Sequence, residues 1–148
     1  KKGPVQSKKI TYDGIKFASG LEKYMYIALK KAKIKADYEG QTFELVEAFD
    51  FNLKSVERQG NGKGEYRDRG NKKIQNIKYT PDFIGSDFII ETKGRANESF
   101  PMRWKLFKKL LTHKNMITQK PIEWTLYKPQ NQKECDETIR LILLQQNT

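Results

Sequence analysis

Tyr79-Thr80-Pro81-Asp82-Phe83-Ile84-Gly85-Ser86-Asp87-Phe88-Ile89-Ile90-Glu91-Thr92-Lys93-Gly94 is the stretch whose reading decides the fold. It reads as two short β-strands joined by a tight Gly85-Ser86 turn. With a two-residue turn flanked by Ile84 and Asp87, Phe83 faces Phe88 and Asp82 faces Ile89. Side chains alternate with period two and opposed residues share a face, so Asp82, Ile89, Glu91 and Lys93 lie together. Asp82 and Glu91 are then diagonal neighbours, roughly 7–8 Å apart at the backbone. Two carboxylates this close repel unless a cation lies between them. A divalent metal with oxygen ligands is the economical explanation.

The pattern P-D-x(8)-E-x-K, from Pro81 to Lys93, suits phosphodiester hydrolysis. Asp82 and Glu91 would hold Mg²⁺, a hard cation that takes carboxylate oxygens and keeps waters for a substrate phosphate. The Thr92 carbonyl, between them, is a further candidate ligand. Lys93 would orient the attacking water or stabilise charge on the phosphate. Glu22, in the first turn of the first helix, is the candidate third carboxylate. Each residue also has a plainer reading. Asp82 after Pro81 can close a turn, Glu91 and Lys93 can form a solvated same-face ion pair, and Glu22 can complete a capping box with Ser19.

Bulk composition points the same way. Among 148 residues there are 29 Lys and Arg against 18 Asp and Glu, a net charge of +11, which directs attention to a polyanion. Hydrophobic residues at 36% can build one modest core, so a single domain over residues 1–148 is expected. No run approaches the roughly 20 apolar residues of a membrane span. No secretory signal opens the chain, and the missing initiator Met leaves room for residues upstream. Cys135 alone cannot form an internal disulfide, which fits a reducing cytoplasm, and with His113 as the sole histidine there is no Cys/His zinc set.

Residues 1–10 read as a basic arm carrying Lys8 and Lys9. Ile10 to Phe17 holds a turn at Asp13-Gly14, with Lys16 beyond it. Ser19 to about Lys35 reads as a helix with an apolar stripe of Leu21, Tyr24, Met25, Ala28 and Ala32. Gln41 to Phe51 alternates as a strand. Residues 58–73 mix Gly60, Gly62, Gly64 and Gly70 with Arg58, Lys63, Arg67, Arg69, Lys72 and Lys73, a flexible basic loop or hairpin tip that either lies against phosphates or is simply disordered. After the central strands, a basic helix from about Pro101 to Asn115 is capped by Ser99. Its stripe is Met102, Leu106, Phe107, Leu110 and Leu111, with Trp104 to one side and Arg103 and Lys105 among its cations. Ile122 to Tyr127 alternates as a strand, and Asn131 caps a last helix carrying Cys135, Ile139, Ile142 and Leu143. Lys8, Lys9, Lys16, Arg58, Lys63, Arg67, Arg69, Lys72, Lys73, Arg95, Arg103 and Lys105 are the candidate DNA-binding residues.

At these motifs the chain resembles the PD-(D/E)XK nuclease superfamily. Phe17-Ala18-Ser19-Gly20-Leu21-Glu22, Tyr79 to Phe83 and Ile90 to Gly94 look like the three blocks of phage endonuclease I, the Holliday-junction resolvase, in the same order. The resemblance spans about residues 15 to 95. It implies a restriction-endonuclease-like α/β fold with a mixed central sheet flanked by helices. It also implies metal-binding carboxylates at Glu22, Asp82 and Glu91, a catalytic lysine at Lys93, and Mg²⁺ with Mn²⁺ able to substitute. The family is a strand-exchanged homodimer that nicks four-way DNA junctions in pairs, in the host cytoplasm when phage-encoded. Asp13-Gly14-Ile15-Lys16-Phe17 also fits another small phage group of the same superfamily with less settled substrates. The alternatives are a nuclease of this fold acting on duplex ends, flaps or transposon ends, and a non-catalytic nucleic-acid-binding module.

Overall fold

The computed structural model describes residues 9–70, 72–94, 99–118 and 123–147. They form a mixed α/β architecture with three helices and several small sheets. In chain order the elements are β1 (Ile10–Tyr12), β2 (Ile15–Phe17), α1 (Gly20–Lys31), β3 (Asp37–Tyr38), β4 (Phe43–Val46), β5 (Phe49–Phe51), β6 (Val56–Glu57), β7 (Arg67–Asp68), β8 (Lys72–Ile74), β9 (Ile77–Tyr79), β10 (Phe83–Ile84), β11 (Phe88–Ile90), α2 (Phe100–Thr118), β12 (Thr125–Tyr127) and α3 (Gln132–Gln146). The chain divides into two compact units: Lys1–Thr42 with Thr80–Thr148, and Phe43–Tyr79.

The first unit is built on a four-stranded mixed sheet in the order β12-β11-β10-β3. β10 runs antiparallel to β11 and β3, while β11 and β12 are parallel and joined through α2. The central register differs from the expected one by two residues. Phe83 pairs with Ile90 and Ile84 with Ile89, so the connection is Gly85 to Phe88 rather than a two-residue turn. The cause lies in Phe88. Its backbone pairs with Thr125 of β12, and its ring lies so close to Gly85 that a Cβ there would sit 2.2 Å from ring carbons. Gly85 donates its N–H to the Phe88 carbonyl at 2.9 Å, closing the loop. A shift of two preserves side-chain parity, and it sets Asp82 and Glu91 one step beyond the Phe83–Ile90 pair on adjacent strands.

Phe83, Phe88 and Ile90 form the core with Met25 and Leu29 of α1, Ile34, and Cys135 and Ile142 of α3. Each of these large side chains, fully buried, contributes about 1.5–3 kcal/mol. Burial also pushes the Cys135 thiol up to about 12, so it serves as a small apolar group. Helix α1 starts where expected, with Ser19 Oγ accepting from the Glu22 N–H at 3.2 Å. It stops at Lys31 rather than near Lys35. Ile34 N–H bonds Leu29 O and Lys33 N–H bonds Lys30 O, with Lys33 at φ +57, a Schellman ending in which Ile34 and Leu29 share the core. Lysine in that left-handed position gives no sequence signal, because glycine is the usual occupant. In α2 the buried face is Phe100, Trp104 and Phe107, while Met102 is 67% exposed, so Trp104 belongs to the interior and Met102 does not. Asn131 caps α3 as expected, accepting from Glu134 N–H at 2.8 Å.

The second unit is one nested two-stranded ribbon: β4 with β9, β5 with β8 and β6 with β7, all antiparallel. The register shifts between Glu44 and Val46, a bulge at Leu45. Residues 58–66 are its tip, as the hairpin-tip reading expects, while Arg67–Asp68 and Lys72–Lys73 of the same segment are strand. Arg69 braces the tip, donating to the carbonyls of Glu57 and Glu65 at 3.1 Å each. Phe49, Leu53, Val56, Tyr66 and Ile74 are exposed on this unit. A two-stranded ribbon has little interior in which to bury them.

Gly85→Ala is expected to destabilise the first unit by about 1–3 kcal/mol, because the Phe88 ring must leave its site. Ser86→Ala, exposed in the same loop, is expected to stay within about 0.5 kcal/mol of wild type. Urea unfolding followed by fluorescence of Trp104 and Trp124 reads both; equal effects would contradict the close-approach argument.

Candidate functional site

Glu22, Asp82, Glu91 and Thr92 are all buried, at 6–7% exposure, though all are polar. Lys93 is half-buried beside them. Their positions follow from the local fold. Glu22 enters on the first turn of α1, set by the Ser19 cap. Asp82 lies one residue before β10, where Glu39 N–H bonds its carbonyl at 2.8 Å. Past the end of β11, the N–H groups of Glu91 and Lys93 bond Tyr127 O and Pro129 O, each at 2.9 Å. The strand geometry therefore continues, and Glu91 and Lys93 share a face as the E-x-K reading requires.

The Asp82 carboxylate is fixed from one side. Its Oδ2 accepts from the Thr92 N–H at 2.8 Å and the Thr92 hydroxyl at 2.6 Å. Thr92 thus acts on Asp82 through its donors, a role the sequence does not suggest; the expected part for it is its carbonyl. Against Asp82 lies Glu22. Burial, then a hydrogen bond with Asp82 and that neighbour's negative charge, push the Glu22 carboxyl up to about 8. Ionised together, the two carboxylates repel, and a proton on Glu22 relieves that repulsion. The capping-box explanation of Glu22 accounts for its backbone and not for its carboxylate, which faces Asp82 and accepts from the Tyr38 hydroxyl at 3.4 Å. Desolvation and the nearby Glu22 charge hold the Tyr38 phenol above its usual range, so it remains a donor.

A cavity of about 420 Å³ opens on this cluster, with Glu22, Glu91, Thr92 and Lys93 in its wall. Lys93 Nζ sits 4.4 Å over the Phe100 ring. Glu22 meets Asp82, and Glu22 and Glu91 share a wall. Among the described residues no three His, Cys, Asp or Glu side chains converge closely enough to enclose a metal ion. The donor chemistry still fits Mg²⁺, which is commonly held by one or two carboxylates and completes its shell with water and phosphate oxygens. A cation would take the place of the proton that Glu22 otherwise needs.

The candidate DNA-binding residues fall into three groups. Lys8 and Arg95 lie outside the described residues. Lys9, Lys16, Arg58, Lys63, Arg67, Lys72, Lys73 and Lys105 are exposed, and Arg103 is half-buried. Arg69 is half-buried and its guanidinium is occupied by carbonyls of the ribbon, so it is a structural brace. Sequence reasoning misses Tyr38 and Phe100. Tyr38 stands in a two-residue strand too short to show alternation, and Phe100 precedes the apparent start of its helix.

A family model described as "Protein of unknown function (DUF1064)" matches residues 3–126. No curated protein matches the chain, and no solved structure does. Among the described residues no helix is long and apolar enough to cross a membrane.

The raised Glu22 group sets the pH dependence of stability. A carboxyl at about 8 in the folded chain and near 4.5 when unfolded binds its proton more tightly when folded. Stability is therefore greatest below about 4.5 from this group, and it falls as pH rises to about 8. Without divalent metal, denaturation should show a loss of about 1–3 kcal/mol between those limits. Glu22→Gln should flatten the profile; an unchanged profile would place the titration elsewhere.

Proposed function

The chain belongs to the DUF1064 family, and we propose that it is a metal-dependent endonuclease of PD-(D/E)XK fold that hydrolyses phosphodiester bonds in DNA. The observation that carries this reading is the buried Glu22–Asp82 pair, with Glu91 and Lys93 beside it, in a chain of net charge +11. Buried like charges are costly, and a protein that only bound nucleic acid would gain nothing from carboxylates facing its ligand.

In this reading Glu22 and Asp82 would hold Mg²⁺, or Mn²⁺ in its place, with Glu91 drawn in as the third carboxylate, since among the described residues no three converge before the ion binds. When bound, the ion would acidify a water and offset charge on the scissile phosphate. Thr92 keeps the Asp82 carboxylate in one orientation through two donors. The Tyr38 hydroxyl donates a single, longer bond to the Glu22 carboxylate. Lys93 rests on an aromatic face rather than on a carboxylate, so its charge is available to a phosphate oxygen in the transition state. The exposed Lys9, Lys16, Arg58, Lys63, Arg67, Lys72, Lys73 and Lys105 supply sequence-independent phosphate contacts, joined by Arg103. A four-way junction is the substrate and a homodimer the acting form, since two-fold symmetry matches two coordinated nicks.

A labelled four-way junction, a flap and a linear duplex, each incubated with protein and Mg²⁺, test the reading. The junction is expected to be nicked in preference to the duplex. Lys93→Ala is expected to lower the rate by about 10²–10³-fold with junction binding retained, and Asp82→Ala to abolish cutting. Intact binding with no cleavage of any substrate would sink the enzyme reading, and equal cleavage of linear duplex would remove the junction preference.

A further inference from the structure

Beside the carboxylate cavity lies a second one with the opposite chemistry. It measures about 350 Å³ at the first turn of α2, and its wall includes Lys93, Lys105, Lys108 and Lys128 over a floor of Phe100 and Trp104. Among the described residues no Asp or Glu lines it. Among the described residues no carboxylate forms an ion pair with any of these four lysines. Four ammonium groups around one small cavity repel each other unless an anion sits among them.

Two of the four are held in place. Phe100 and Trp104 stack with centroids 5.6 Å apart and an interplanar angle of 29°, and both are buried. Lys93 Nζ lies 4.4 Å over the Phe100 ring and Lys108 Nζ 5.8 Å over the Trp104 ring. Each ring orients its cation without neutralising it. Lys105 and Lys128 are exposed at the rim. Lysines are point charges suited to phosphate, and among the described residues the wall carries no arginine fork that would select a planar carboxylate. Lys93 also lines the carboxylate cavity, so the two sites adjoin at that side chain.

We propose that this lysine cavity is a phosphate subsite for the nucleic-acid strand, taking a phosphate that neighbours the cleaved one. The identity of the ligand rests on the nuclease reading of the adjoining cavity. The phosphate can be an internal diester or a terminal monoester, since both offer the same oxygens to the four amines.

The test reads binding alone, without divalent metal, so absence of cleavage would sink the nuclease reading without moving this result. Fluorescence anisotropy would follow a four-way junction with 5′-hydroxyl ends, and a linear duplex with and without 5′-phosphates, over ~50–200 mM KCl. The Lys105→Gln/Lys128→Gln double variant is expected to bind about tenfold or more weakly, with the salt slope reduced by about 2, since each lysine removed leaves one phosphate unneutralised. Lys105→Arg/Lys128→Arg should restore affinity, and Lys133→Gln, on exposed α3 surface, should match wild type. A loss seen with 5′-hydroxyl probes assigns the subsite to internal phosphates, and a loss confined to 5′-phosphorylated duplex assigns it to a terminal phosphate. Unchanged affinity and slope on every probe, or arginine variants as weak as the glutamine ones, would overturn the proposal.

Discussion

The contact between the Glu22 and Asp82 carboxyls is the constraint on which the site depends. One arrives on a helix and the other just before a strand, and neither would be buried beside the other without a reason. The surrounding fold holds them there. Ser19 fixes where α1 begins, Met25 and Leu29 seat the helix on Phe83, Phe88 and Ile90, and Thr92 clamps Asp82 with two short bonds. The core thus supplies the rigidity that keeps two like groups together, and the unfavourable electrostatics remain as a latent demand for a proton or a cation.

Charge is distributed to match. The ribbon of residues 43–79 carries eight Lys and Arg against six Asp and Glu, so most of the +11 resides in the first unit. Within that unit, acidic and basic cavities share Lys93. A phosphate group has needs of both kinds: cations around its oxygens, and a carboxylate-held metal at the bond to be broken. The aromatic pair under Lys93 and Lys108 lets cations gather without the counter-charges that would cancel them.

Much of this is legible in the sequence, for identifiable reasons. The P-D and E-x-K motifs, the Ser19 cap and the Asn131 cap are local, and local patterns survive errors in tertiary detail. The hairpin register reads two residues off because Gly85-Ser86 resembles a tight turn, whereas Phe88 is claimed by β12; parity protects the face assignment from that error. The end of α1 is hidden because a lysine occupies the left-handed position. The stripe of α2 favours Met102 over Trp104 because an apolar stripe does not reveal how many elements it packs against. The 58–73 segment reads as a loop or hairpin tip, and its strands β7 and β8 escape because they are two or three residues long and exposed, held by Arg69 and by partners far along the chain. Tyr38 carries no signal at all, since its role exists only once β3 lies against β10.

Calorimetric titration of Mn²⁺ into the metal-free protein at pH 7, in two buffers of different ionisation enthalpy, tests the central claim most directly. The account predicts saturable binding with release of a proton, because the ion displaces the one Glu22 carries, and loss of that proton release in Glu22→Gln. No saturable binding, or binding with the same proton release in Glu22→Gln, would contradict it.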